Sequence, residues 1–271
     1  MSHSIVVPCY NEADRLEFQR FSAFLNANIT YNICFVNDGS SDATLEQLLA
    51  FKQQHNNQVF VVNLPQNRGK AEAVRQGIQH MMDMDIVSVG YLDADLATDL
   101  SDYMRLVDHL ENENLNMVFG SRKMGSDNLI KRKFLRAIAS SMIGVLTQSI
   151  IGMPIKDTQC GAKVFTKMTA RNLFSTSFHS RWLFDVELFI RIKNLFGKET
   201  NQHIKEVALT KWEDVDGSKI TFSDSMKFPM ELLEIGLMYK VRPHLQTRLT
   251  TRTNRPVPSK GVSVGAYNNA A

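Results

Sequence analysis

The chain has little cysteine. Cys9, Cys34 and Cys160 are the three in 271 residues, odd in number, widely spaced and without a C-x-x-C pair, which excludes a disulfide framework and a zinc site and fits a reducing cytoplasm. Net charge is also small. With 31 basic against 28 acidic residues, a balance of +3, no overall field points to nucleic acid. No Gly-rich loop of the G-x-x-x-x-G-K-[ST] or G-x-G-x-x-G kind occurs, so kinase and dinucleotide-oxidoreductase readings lose their main support. Nothing resembling a basic n-region or cleavable apolar stretch precedes Ile5, so export by a leader is not expected. No internal repeat is present. The longest apolar stretch, Ala137 to Ile155, carries Ser140, Ser141, Thr147, Gln148 and Ser149 and is too polar to read as a membrane span.

What is there is an ordinary apolar content of 44%, arranged as an alternation. Ile5 to Pro8, Ile33 to Asn37, Phe60 to Asn63 and Val87 to Leu92 are short β-branched or apolar runs that read as buried parallel strands. Helical patterns lie between them at Glu12 to Ala27, Asp42 to Gln54 and Lys70 to Met82, the second opened by a Ser/Asp cluster suited to capping. Strand and helix in turn predict a doubly wound, Rossmann-like α/β sheet, mostly parallel and flanked by helices. In such a sheet ligands bind beyond the carboxyl ends of the strands. Tyr10-Asn11-Glu12, Asp38-Gly39-Ser40 and Asp93-Ala94-Asp95 all fall there, so three polar clusters are expected on one rim.

Asp93 and Asp95, one residue apart at a strand end, can hold a divalent cation that neutralises a diphosphate, or can be two solvated turn residues. Pro8 and Tyr10 offer a surface on which a planar base can stack. Asp38 can accept hydrogen bonds from a base edge or ribose, or can bond its own turn. Gly69 permits close backbone approach, and Lys70 supplies a cation for phosphate or simply starts a helix. Arg122, after the run Met117 to Gly120, can make a two-point phosphate contact or a structural salt bridge.

Several ordered segments together resemble family 2 of the inverting glycosyltransferases. They are Val7-Pro8-Cys9-Tyr10-Asn11-Glu12, Val36-Asn37-Asp38-Gly39-Ser40-Ser41-Asp42-Ala43-Thr44 and Asn67-Arg68-Gly69-Lys70. Within that family the likeness narrows toward dolichyl-phosphate glucosyl- and mannosyltransferases. It rests on Leu92-Asp93-Ala94-Asp95-Leu96, Gly120-Ser121-Arg122, Asp157 to Phe165, Arg181 to Leu188 and Trp212 to Lys219, the last two closer to the glucosyl branch. The matches cover residues 4 to 240. The N-terminal anchor of the eukaryotic glucosyl enzymes and the C-terminal transmembrane pair of some bacterial relatives have no counterpart here.

The resemblance implies the GT-A nucleotide-diphospho-sugar transferase fold over residues 1–245, with a nucleotide half to about residue 122, an acceptor half from about 123, and a flexible tail at 246–271. It implies a nucleotide-diphosphate-sugar donor on the rim of Pro8, Tyr10, Asn11, Glu12, Asp38, Gly69, Lys70 and Asp93, and Mg2+ or Mn2+ on Asp93 and Asp95. Asp157 and Gln159 are expected near the donor sugar or acceptor, with Asp157, Arg122 and Asp185 as catalytic candidates. Glu187 is either at the sugar or acceptor or a structural partner for Arg181 or Arg191. Lys219, on a segment with Gly217 as a hinge, is a candidate lid residue.

Asp185 falls where hydroxyl-using members keep a base, but a phosphate acceptor alters that need. The second ionisation of a phosphomonoester lies near pH ~6, so its dianion is the nucleophile at neutral pH and base help is worth little. Lys131, Arg132, Lys133 and Arg136 ahead of the apolar stretch predict an interfacial helix at the cytoplasmic face of a membrane, or else a core helix. The leading expectation is transfer of glucose from UDP-glucose to a polyprenyl phosphate. The alternatives are transfer to a saccharide hydroxyl, with Asp185 or Asp157 as base, and a non-catalytic nucleotide-sugar binding module. A sugar-phosphate nucleotidyltransferase is disfavoured because Tyr10-Asn11-Glu12 stands where its Gly-rich loop would be.

Overall fold

A computed structural model describes residues 2–122, 147–210, 212 and 222–241, the last stretch with its side chains from 227 to 239. The first half alternates as its sequence dictates: β1 (Ser2–Cys9), α1 (Phe18–Ala27), β2 (Tyr31–Asp38), α2 (Thr44–Gln54), β3 (Val59–Leu64), α3 (Lys70–Met81), β4 (Ile86–Leu92) and α4 (Leu100–Asn112). Then come β5 (Met117–Ser121), β6 (Ala162–Thr166), α5 (Lys167–Leu173), α6 (Phe184–Phe196), α7 (Thr200–His203), β7 (Ile204–Ala208) and α8 (Phe222–Val241).

The strands form one sheet in the order β3-β2-β1-β4-β6-β5-β7. β1 pairs in parallel with β2 and β4, β2 with β3, and β5 with β7. β6 is antiparallel to both β4 and β5. β4 and β5 therefore run the same way, and the amino end of β6 arrives at the edge where the parallel strands end. That reversal brings the loop before β6 to the ligand edge and places Gly161 beside Asp93.

Side chains of successive strand residues point to opposite faces. Val6 and Val36 join one core with α3, α5, α6 and α8, whereas Ile5, Val7, Ile33 and Phe35 join another with α1, α2 and α4. Both faces are covered, which is why these strands read as continuous apolar runs. Cys9, Cys34 and Cys160 are buried free thiols. Burial pushes Cys34 up to about 12 and Cys160 to about 11.

Two expectations shift. The first helix begins at Phe18, not Glu12, because the Glu12 carbonyl accepts the amides of Arg15 and Leu16 while its own amide donates to Thr44 Oγ1 at 2.8 Å, making residues 12–16 a turn. Of the expected interfacial helix, Lys131 to Arg136 lie outside the described residues, and helical backbone is seen over 147–151. No helix among the described residues is long and apolar enough to cross a membrane.

Candidate active site

A cavity of about 410 Å3 opens at the ligand edge. Of the residues singled out in the sequence, Pro8, Tyr10, Glu12, Asp38, Gly69, Lys70, Asp93, Asp95, Arg122, Gln159 and Asp185 line it. Asn11, Asp157 and Glu187 are not among its walls, and Lys219 lies outside the described residues.

The rim after β1 and β2 is held by backbone amides. Asn11 takes a left-handed φ of 51°, its amide donating to Ser40 Oγ at 2.9 Å and its Oδ1 accepting the Ser41 amide at 2.8 Å. Asn11 thus laces the loop after β1 to the loop after β2. Asp38, buried at the end of β2, accepts the amides of Arg68 at 2.7 Å and Gly69 at 2.8 Å. Burial raises its carboxyl above the ordinary range, and those two amides oppose the rise. Gly69 sits at φ +92°, and a Cβ there would lie 2.6 Å from Arg181 Nε, so a side chain is excluded by conformation and by space.

At the centre, Lys70 Nζ lies 2.6 Å from Asp93 Oδ1, and Arg15 Nη2 lies 3.3 Å from Asp95 Oδ2. Burial, and then the charge of Asp93, lifts the Asp95 carboxyl above its usual value. Burial pulls the Lys70 ammonium down, but Asp93 and Asp185 outweigh it and hold the group above its ordinary value. A Cβ on Gly161 would stand 2.0 Å from Asp93 Oδ2, so glycine is what lets Asp93 occupy this position. Two neighbouring, partly exposed carboxylates, made of hard oxygen donors, fit a divalent cation shared with a diphosphate. Among the described residues no group of three or more His, Cys, Asp or Glu side chains gathers as a metal cage, so such an ion would take its remaining ligands from the diphosphate and water.

Around β6 and α6 the partners include cations. Arg122 grips Asp157 through Nε at 2.7 Å, Nη2 at 2.8 Å and its backbone amide at 3.0 Å. Its guanidinium also lies 5.5 Å from the Trp212 ring, and Trp212 bridges to Thr98. Asp157, 1% exposed, is the counter-ion of Arg122 and is not among the walls of the cavity. Asp185, at the first turn of α6, receives Lys163 Nζ at 2.6 Å and the Tyr91 hydroxyl on Oδ1.

Of the two expectations for Glu187 the structure matches the structural one, with Arg191, and does not place it at the cavity: fully buried, it accepts the amides of His179 and Ser180 at 2.9 Å and the Tyr239 hydroxyl at 3.0 Å, with Arg191 at 3.8 Å. Two residues beyond Asp185, on the opposite side of the helix, the Glu187 side chain meets Tyr239 of α8 instead of the cavity.

Arg15, Asn67, Thr98 and Trp182 also line the cavity and were given no role from sequence. Lys163 was missed as well, although a lysine inside the apolar run Ala162-Lys163-Val164-Phe165 is itself a signal.

The family model described as Glycosyl transferase family 2 matches residues 4–182. Dolichyl-phosphate beta-glucosyltransferase of Dictyostelium discoideum is 36% identical over 251 residues, covering 87% of this chain and 74% of that protein. The Drosophila melanogaster protein of the same name is 35% identical, with coverage of 88% and 75%, and the Homo sapiens one 31%, with 87% and 75%. Among solved structures, glucosyl-3-phosphoglycerate synthase from Mycobacterium tuberculosis in complex with Mn2+, UDP-Glc and phosphoglyceric acid aligns with a TM-score of 0.63 at 18% identity, covering 87% of this chain and 79% of that one. That likeness shows the fold.

Proposed function

The chain belongs to glycosyl transferase family 2, and from that premise we propose that it transfers glucose from UDP-glucose to a polyprenyl phosphate, with inversion, using Mg2+ or Mn2+. The observation that carries this reading is the pair Asp93 and Asp95, with Lys70, facing Asp185 across one cavity. The relatives named as dolichyl-phosphate beta-glucosyltransferases support the acceptor and the sugar.

Pro8 and Tyr10 bound the space for the base. Asp38 acts on it by fixing the amides of residues 68 and 69, so that the loop leading into Lys70 keeps its shape. The residues that would hold the cation are Asp93 and Asp95, where it would neutralise charge developing on the leaving diphosphate. Lys70 adds a second positive charge at the same place, since binding of a diphosphate gives its ammonium a stronger partner than Asp93 alone. Lys219, on the segment outside the described residues, is the candidate for a further one.

A hydroxyl acceptor would need a base beside the anomeric carbon. Asp157 is committed to Arg122, and one oxygen of Asp185 to Lys163 and Tyr91. A phosphate acceptor needs no base, which favours it. Met230, Leu233 and Leu237 project from one face of α8 with 63%, 55% and 63% of their surface exposed, an apolar stripe suited to the cytoplasmic surface of a membrane where such an acceptor resides.

Incubation with labelled nucleotide sugars, with and without polyprenyl phosphate, tests the reading. Label from UDP-glucose should move into organic solvent only with the lipid, fail in excess chelator, and fall at least 1000-fold in Asp95→Ala. Transfer to soluble sugars alone, or full activity in chelator, would overturn it.

A further inference from the structure

Lys163 is a fully buried ammonium in the middle of a sheet. It belongs to β6, opposite Tyr91 on β4 and Phe119 on β5, and its Nζ lies 5.5 Å from the Tyr91 ring and 5.8 Å from that of Phe189. A cation so far from water persists only where its protons are all directed. Here they are: to the Cys160 carbonyl at 2.6 Å, the Thr158 carbonyl at 3.1 Å and Asp185 Oδ1 at 2.6 Å. One side chain thereby ties the turn that carries Gln159 to the carboxylate at the start of α6, and both Gln159 and Asp185 face the cavity.

The Tyr91 hydroxyl also donates to Asp185 Oδ1. Oδ1 is thus doubly engaged, whereas Oδ2 accepts no hydrogen bond from any described residue. A carboxylate oxygen can only accept. A phosphate dianion has no proton to give it, so in a cavity that holds donor sugar and acceptor phosphate its natural partner is a sugar hydroxyl. An uncompensated Asp185 would also repel the incoming dianion, and the Lys163 charge 2.6 Å away cancels that field.

We propose that Lys163 is a positioning residue for the transferred sugar: with Tyr91 it locks Asp185 so that Oδ2 receives a sugar hydroxyl, and it neutralises the carboxylate against the acceptor's charge. This rests on the glycosyl-transfer reading of the cavity but not on which lipid accepts the sugar.

Titration calorimetry with UDP-glucose and with UDP, on Lys163→Met, Tyr91→Phe, Asp185→Asn and the Lys163→Met/Asp185→Asn double variant, tests it. Lys163→Met should weaken UDP-glucose at least 10-fold while changing UDP less than 2-fold, because the nucleotide rim stands on other segments. In the Asp185→Asn background the same change should matter less than 2-fold. Equal losses for UDP and UDP-glucose, or an undiminished effect in that background, would overturn the proposal. Should Lys163→Met not fold, Tyr91→Phe, which removes one hydroxyl from the same oxygen, decides by the same split with a loss of about 3-fold or more expected. A wild type that binds UDP-glucose but transfers nothing to polyprenyl phosphate would defeat the functional reading alone, leaving the cycle to decide the role of Lys163.

Discussion

The two sides of the ligand edge satisfy their acidic groups differently. Around β1 and β2 the partners are largely backbone amides: Arg68 and Gly69 for Asp38, Ala13 and Thr44 for Asp42. Around β6 and α6 cations and hydroxyls join the amides: Arg122 for Asp157, Lys163 and Tyr91 for Asp185, and Arg191 and Tyr239 beside the His179 and Ser180 amides for Glu187. An amide-bound carboxylate fixes the loop next to it in sequence or space without adding a charge. A buried ion pair ties distant segments together, and losing one member strands the other. The β1–β2 side is therefore largely a set of shaped loops, the β6–α6 side a set of interlocked charges.

The largest expected effect from breaking this contrast is Arg191→Met. It removes the cation beside Glu187, which keeps only its amide and hydroxyl donors, and leaves the carbonyls of Leu173, Thr176 and Ser177 without their donor, so denaturant unfolding should show a loss of about 3–5 kcal/mol. Asp38→Ala comes next. Two amides lose their acceptor, and about 1–3 kcal/mol should disappear, together with a rise in donor KM at little change in kcat. An unchanged KM would make Asp38 a fold residue only.

Asp42→Ala should be milder, about 1 kcal/mol, since its site is exposed. Burial pushes the Asp42 carboxyl up slightly, but the Thr44 and Ala13 donors outweigh it and hold it below the ordinary aspartate range. Its stabilisation is thus present at neutral pH and lost as pH falls through that lowered value, so the variant and wild type should converge in acid. Asp95→Asn should have the smallest effect on folding and the opposite sign. With the carboxyl raised by burial and by Asp93, ionisation opposes folding, so the metal-free variant should melt slightly higher than wild type at neutral pH and equally below the ordinary aspartate range. For the same reason Mn2+ binding should fade on acidification.

This contrast also divides what could be read in advance. The loops after β1, β2 and β4 were legible because their chemistry is local. Gly69, Asp38 and the Asp93/Asp95 pair each announce a turn or a strand-end cluster of carboxylates within a few residues. The acceptor side was not, because its logic is long-range. Nothing near Asp157 in sequence says that Arg122 holds it, and helical periodicity alone does not distinguish Asp185, which reaches the cavity, from Glu187, which is buried under α8. The strands were legible from their apolar runs, whereas the reversal of β6 was not. The late start of α1 arose from a contact between Glu12 and Thr44, 32 positions apart.

The buried thiols make the molecule its own stopwatch. Cys9 and Cys34 lie on adjoining strands of the nucleotide side and Cys160 leads into β6 on the other. Only a thiolate reacts readily with an alkylating reagent, and burial both hides these sulfurs and disfavours that form. Each will be tagged when the structure around it opens, so the order in which the three acquire label records which side of the ligand edge gives way first.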